Sequence, residues 1–112
     1  MMVKDLSGPD ATSGAHFVQV DPVLRQILPG YLDNRRADAS LILAALVRAD
    51  FAEVGVIGHS MRGSGGSYGF PELTALGARI EEAARVRDEH ECHKLAQELT
   101  LFLARVHLPS SE

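Results

Sequence analysis

The stretch Pro71-Glu72-Leu73-Thr74-Ala75-Leu76-Gly77-Ala78-Arg79-Ile80-Glu81-Glu82-Ala83-Ala84 decides the fold class. Proline at a first helical position and an acid in the first turn mark a helix start. Apolar residues then return at Leu73, Leu76, Ile80, Ala83 and Ala84, a spacing of three and four that lines one face of a helix. Downstream, past a charged patch from Arg85 to Glu91, the same spacing recurs at Cys92, Leu95, Ala96, Leu99, Phe102, Leu103 and Val106, and Pro109 closes it. Upstream, Asp50-Phe51-Ala52-Glu53 has capping-box spacing and opens a helix that fades into Gly63, Gly65, Gly66 and Gly69.

Earlier still, Asp21-Pro22 reads as an N-cap followed by a first-turn proline. Pro29 then interrupts the pattern, and a proline inside a helix predicts a kink or a restart. From Pro29 to about Arg48, Leu32, Ala39, Leu43, Leu46 and Val47 can form one stripe. Helices are expected near 29–48, 50–66, 71–87 and 89–107, after a short leading helix. No segment shows a period-2 strand pattern. The expected architecture is all-α: an antiparallel four-helix bundle with a short additional N-terminal helix, over residues 21–109. Residues 1–20, with Gly8, Pro9, Ser13 and Gly14, are expected to form a partly ordered arm.

Composition bounds the function. The chain has 112 residues, enough for one hydrophobic core, with 46% hydrophobic and 23% charged residues. The longest apolar run, Leu41 to Val47, is far short of the roughly twenty residues of a membrane span. Met1 to Asp10 has one lysine and no apolar run, so no secretory signal is expected. The lone Cys92 cannot form an internal disulfide, which fits a reducing cytoplasm. Net charge is −4, without the basic excess of a nucleic-acid binder.

The chemistry concentrates on the helix that starts at Asp50. At about 100° per residue, Asp50, Val54, Ile57, Met61, Ser64 and Tyr68 share one side, mostly apolar. The opposite side holds Ala52, Gly55, His59, Arg62, Gly63 and Gly66. Each glycine costs a helix about 1 kcal/mol against alanine, so this cluster calls for a reason. Clearance is the simplest: without Cβ atoms, a partner protein can approach the imidazole. A neutral imidazole is a good nucleophile near neutral pH. A phosphoryl group on it would carry roughly two negative charges, which Arg62, one turn along, can offset. No acid-rich cage surrounds His59 in the sequence, so a phosphoryl acceptor and donor fits better than a hydrolase.

These residues resemble a known family. His59-Ser60-Met61-Arg62-Gly63-Ser64, followed by Gly69, Leu73, Leu76 and Ile80-Glu81, looks like the core motif of histidine-containing phosphotransfer domains. The resemblance implies a four-helix bundle in which His59 is phosphorylated, Arg62 and Ser64 support the phosphate, and Gly55, Ser60, Gly63 and Gly66 give a partner access. It also implies exchange with the aspartate of response-regulator receiver domains, and a sensor or hybrid histidine kinase upstream. Arg62 departs from the lysine usual in the family, keeping the charge but broadening the donor. No cofactor is expected on this chain. Mg²⁺ is expected from the receiver, and neither autonomous kinase nor hydrolase activity is expected.

Other readings are weaker. The same face could dock a receiver without transfer. Gly58-His59-Ser60-Met61-Arg62 lacks the final glycine and the preceding strand of a hydrolase nucleophile elbow, which leaves little for a small hydrolase built on Ser60. His90, Cys92 and His93 fall short of the roughly four ligands of a structural metal site, so no metal is expected.

Overall fold

The computed structural model describes residues 22–107 together with the short segment His16–Phe17. Four helices carry the fold: α1 (Pro22–Val47), α2 (Phe51–Gly65), α3 (Pro71–Arg85) and α4 (Glu89–Ala104). Helix α1 packs against α2 and α4, and α3 against the same two, which closes a four-helix bundle. Leu28, Ile42, Val54, Met61, Leu73, Ile80, Leu95 and Leu99 meet at its centre with no exposed surface. Among the described residues no helix is long and apolar enough to cross a membrane.

The three links between helices use one device. Ala49, Gly69 and Arg87 take positive φ angles of 56°, 90° and 58°. The amide of the next residue then donates back across the helix end: Asp50 to Ala45, Phe70 to Gly65 and Asp88 to Ala83, at 2.8–2.9 Å. This pattern satisfies carbonyls that a helix end leaves open and reverses the chain at once. In two of the three links the last residue then caps the next helix with its side chain. Asp50 accepts from the Glu53 amide and Asp88 from the Glu91 amide, both at 3.0 Å.

Three expectations need correction. The short leading helix does not exist as a separate element, because Pro22–Val47 is one continuous helix through Pro29. Proline there removes one backbone hydrogen bond at about 3 kcal/mol. Leu28, Tyr31 and Leu32, on either side of it, are all buried, and each contributes about 1.5–3 kcal/mol. That burial outweighs the break. Helix α4 stops at Ala104 rather than near 107, and Val106–His107 instead forms β2, which pairs in parallel with His16–Phe17, β1. A two-residue ladder is too short to leave an alternating pattern in the sequence. On α1, Leu43 and Val47 are exposed, and the buried stripe runs through Leu28, Leu32, Ala39, Ile42, Ala45 and Leu46. The Asp21 cap, Pro109 and the rest of the arm lie outside the described residues.

Candidate phosphoryl-transfer site

Helix α2 turns Val54, Ile57 and Met61 into the core, and the helical repeat carries His59 outward, with 65% of its side chain exposed. Arg62 follows one turn later on that face. Helix α3 lies unusually close. A Cβ on Gly58 would come within 2.7 Å of the Glu81 amide nitrogen and 2.9 Å of the Gly77 carbonyl oxygen. One on Gly65 would meet the Thr74 amide at 2.6 Å, and one on Gly77 would collide with the Arg62 backbone. Three glycines therefore let two helix backbones touch. The approach puts the Glu81 carboxylate, from α3, beside the ring of His59, on α2.

Two groups converge on one ring nitrogen. Glu81 Oε2 is 3.0 Å from His59 Nδ1, and Arg62 Nη2 is 3.3 Å from the same atom. Arg62 Nη1 also lies 3.4 Å from Glu81 Oε1. A carboxylate accepts only from a protonated Nδ1, whereas a guanidinium donates only to its lone pair. One nitrogen cannot serve both at once. The Glu81 contact is the shorter, and a charged acceptor there favours the tautomer with the proton on Nδ1. In that tautomer Nε2 presents its lone pair to solvent.

From His59 and Glu81 a groove of about 570 Å³ runs between α2 and α3. Its walls are Phe51, Gly55, Val56 and Ala84, with Arg85 and Arg87 also lining it. Val56 is 64% exposed. A Cβ on Gly55 would reach the Ala84 Cβ at an ordinary 3.7 Å, so this glycine deepens the groove but is not forced by packing. Gly63 has nothing within 4 Å of a Cβ position, and Gly66 has only the Thr74 hydroxyl at 3.6 Å. Ser60, Gly63 and Gly66 are exposed.

Ser64 is elsewhere. Its hydroxyl is 2.8 Å from the Tyr31 hydroxyl of α1. Five residues after His59, it lies roughly 140° round the helix, so its side chain is directed away from the imidazole. Tyr31 also stacks on Tyr68, with ring centroids 4.0 Å apart, and the Arg35 guanidinium lies over the Tyr31 ring, 4.7 Å from its centroid. Ser64 thus ties α2 to α1. His90 and His93 are exposed on α4, and no group of three potential metal ligands gathers among the described residues. Cys92 is buried, and burial together with the neighbouring Asp88, Glu91 and Glu89 charges pushes its thiol up from the ordinary value.

Glu81 is the site residue that a single-helix reading misses. It stands in the motif, but its role depends on the α2–α3 register, which the wheel of residues 50–68 does not contain. Gly58 and Gly77 escape notice for the same reason.

A model of the Hpt domain matches residues 26–107, most of the chain and all four helices but the first turn of α1. Neither the curated proteins nor the solved structures returned a match. With a helical bundle, an outward histidine on its second helix and a family match over all of that bundle but its first turn, the chain belongs to the Hpt domain family, whose members carry out histidine phosphotransfer in phosphorelays.

Proposed function

We propose that this protein is a phosphocarrier in which His59 accepts a phosphoryl group on Nε2 from a receiver-domain aspartate, or from a kinase module, and passes it to another receiver. The observation that carries the reading is the pairing of His59 with Glu81: an exposed imidazole whose inner nitrogen is held at 3.0 Å by a carboxylate and whose outer nitrogen is free to attack. In-line attack by Nε2 on the acyl phosphate forms the N–P bond as the P–O bond breaks and the aspartate carboxylate leaves. Arg62 is the nearest cation and offsets the arriving charge. Its guanidinium now sits at the Nδ1 side of the ring, so its support acts by charge and not by a preformed phosphate clamp.

Ser60, Gly63 and Gly66 leave the space around the ring open for the partner, and Gly55 shapes the apolar groove beside it. In this reading the Mg²⁺ and the acidic pocket belong to the receiver. The chain itself neither uses ATP nor hydrolyses its own phosphohistidine rapidly, and it works in the cytoplasm.

The open groove also suits a second reading, in which the face docks a receiver without transfer. Incubation with a phosphorylated receiver and Mg²⁺, and separately with ATP alone, separates the two. The carrier reading expects label on the wild type from the receiver only, none on His59→Ala, and docking of both. Label from ATP alone, or label retained by His59→Ala, overturns it.

A further inference from the structure

We propose that two copies of this protein pair through α1, antiparallel about Asn34, as a weak dimer. The proposal does not depend on the carrier reading and uses no residue of the groove beside His59.

It starts from the shape of α1, which has 26 residues against 15 or 16 in the other helices. Tyr31 meets Ser64 in the last turn of α2, so the turns of α1 before Tyr31 run on past the end of α2. The flank of α1 turned away from Leu28, Leu32, Ile42 and Leu46 carries Ile27, Gly30, Asn34, Ala37, Leu41 and Ala44. All six are exposed, Ile27 by 50% and Leu41 by 51%. Alternating steps of three and four keep them within one sector of about 100°, the spacing of a seam that a second helix fills.

Gly30 is an independent sign. A glycine inside a helix weakens it. At Gly58, Gly65 and Gly77 the opposing backbone supplies the reason, but a Cβ on Gly30 would meet nothing within 4 Å. The bare backbone there admits a helix from outside the chain.

The order of residues makes the seam complementary to itself. Ile27 stands seven residues before Asn34 and Leu41 seven after it, while Gly30 stands four before and Ala37 three after. A two-fold axis at Asn34 therefore sets Ile27 of each copy against Leu41 of the other, and the small residues against each other, as an isologous contact requires. The two Asn34 amides meet on the axis, where each can donate and accept. A single polar residue in an apolar seam fixes its register and lowers its affinity.

Charge favours the same orientation. Asp33 and Asp38, beside the seam, are already paired within α1 to Arg36 and Arg35, each at 2.7 Å. Arg48 is the next step after Ala44, and in a parallel pair it would face Arg48 of the other copy. Antiparallel pairing separates the two by the length of the seam. From Ile27 to Ala44 the seam is about 26 Å long and about 10 Å wide. That is well short of the roughly 800 Å² per partner of a standard interface, so a dissociation constant of about 10–500 µM is expected.

Sedimentation of the full chain from about 5 µM to about 1 mM tests the proposal. The wild type should pass from monomer to dimer across this range. Ile27→Glu and Leu41→Glu should each weaken the dimer at least about tenfold, and Asn34→Leu should tighten it. Leu101→Glu, at an exposed position on α4, should change nothing. Orientation is read by a short bismaleimide added to Ile27→Cys and Leu41→Cys proteins: the mixture should cross-link better than either alone. Circular dichroism confirms that the variants fold, and the cross-linking remains decisive if a glutamate variant does not. A wild type that stays monomeric throughout overturns the proposal. So does a dimer that Ile27→Glu and Leu41→Glu leave unchanged, or cross-linking of Ile27→Cys chiefly to itself.

Discussion

The α2–α3 side of the bundle and the α1–α4 side are built on opposite rules. Helices α1 and α4 meet the core with bulk: Leu28, Leu32, Ile42 and Leu46 from one, Leu95, Leu99, Phe102 and Leu103 from the other, all buried. Helices α2 and α3 meet by omission, with Gly58, Gly65 and Gly77 at points where any Cβ would strike the opposing backbone. Large side chains fill volume and define a core, but they hold helix axes apart. Glycine contacts bring the axes together and fix where one helix's outer side chains stand relative to the other's. The site sits on the second kind of seam, because bringing His59, Arg62 and Glu81 within hydrogen-bonding distance requires register more than bulk.

The comparison breaks if the two sides respond alike to substitution. Leu99→Ala should give the largest loss of stability, about 2–5 kcal/mol, from lost burial and the cavity left behind. Transfer per folded molecule should survive, since no site residue moves. Denaturant unfolding and single-turnover transfer check the pair of outcomes. Gly58→Ala should cost about 1–3 kcal/mol, as expected of an overpacked contact, yet it should impair transfer more than Leu99→Ala does. The added methyl pushes α3 back at Glu81 itself, so the His59 ring ¹⁵N shifts should report the loss of its partner.

Two smaller effects sharpen the contrast. Ala49→Gly should stabilise the fold by about 0.5–1 kcal/mol, because an alanine at φ 56° carries strain that glycine does not. It lies in the α1–α2 link, away from the imidazole, so transfer should be unchanged. Gly63→Leu should leave the melting temperature nearly unchanged, because nothing stands within 4 Å of its Cβ position. It should nevertheless slow exchange with a receiver sharply, since the new side chain occupies the partner's approach one turn from His59. Glycines five residues apart on one helix would then fail in different ways, one through folding and one through access.

This division explains what could be read from the sequence. In α3 and α4 the apolar residues come singly among polar ones, so their spacing has a phase, and Leu73, Leu76, Ile80, Leu95 and Leu99 are all buried as expected. In α1 the run from Leu41 to Val47 is apolar throughout and has no phase. Several stripes fit it, and the one through Leu43 and Val47 is not the one the bundle buries; Val47 is 87% exposed. The outward setting of His59 was legible, because Val54, Ile57 and Met61 fix the inner face of α2. Glu81 and Tyr31 were not, since each meets its partner across helices. Ser64, grouped with the phosphate by its place in the motif, was already on the core side of the wheel, and its bond to Tyr31 agrees with the wheel.

The central claim is that Glu81 holds the Nδ1 proton of His59 so that Nε2 receives the phosphoryl group. Its most direct measurement is heteronuclear ³¹P and ¹⁵N NMR of the protein labelled from a phosphorylated receiver, which identifies the phosphorylated nitrogen. The account predicts a single phosphohistidine at position 59, bonded through Nε2, with the ring in the Nδ1–H form before labelling. Phosphorus on Nδ1, or on another residue, would contradict it.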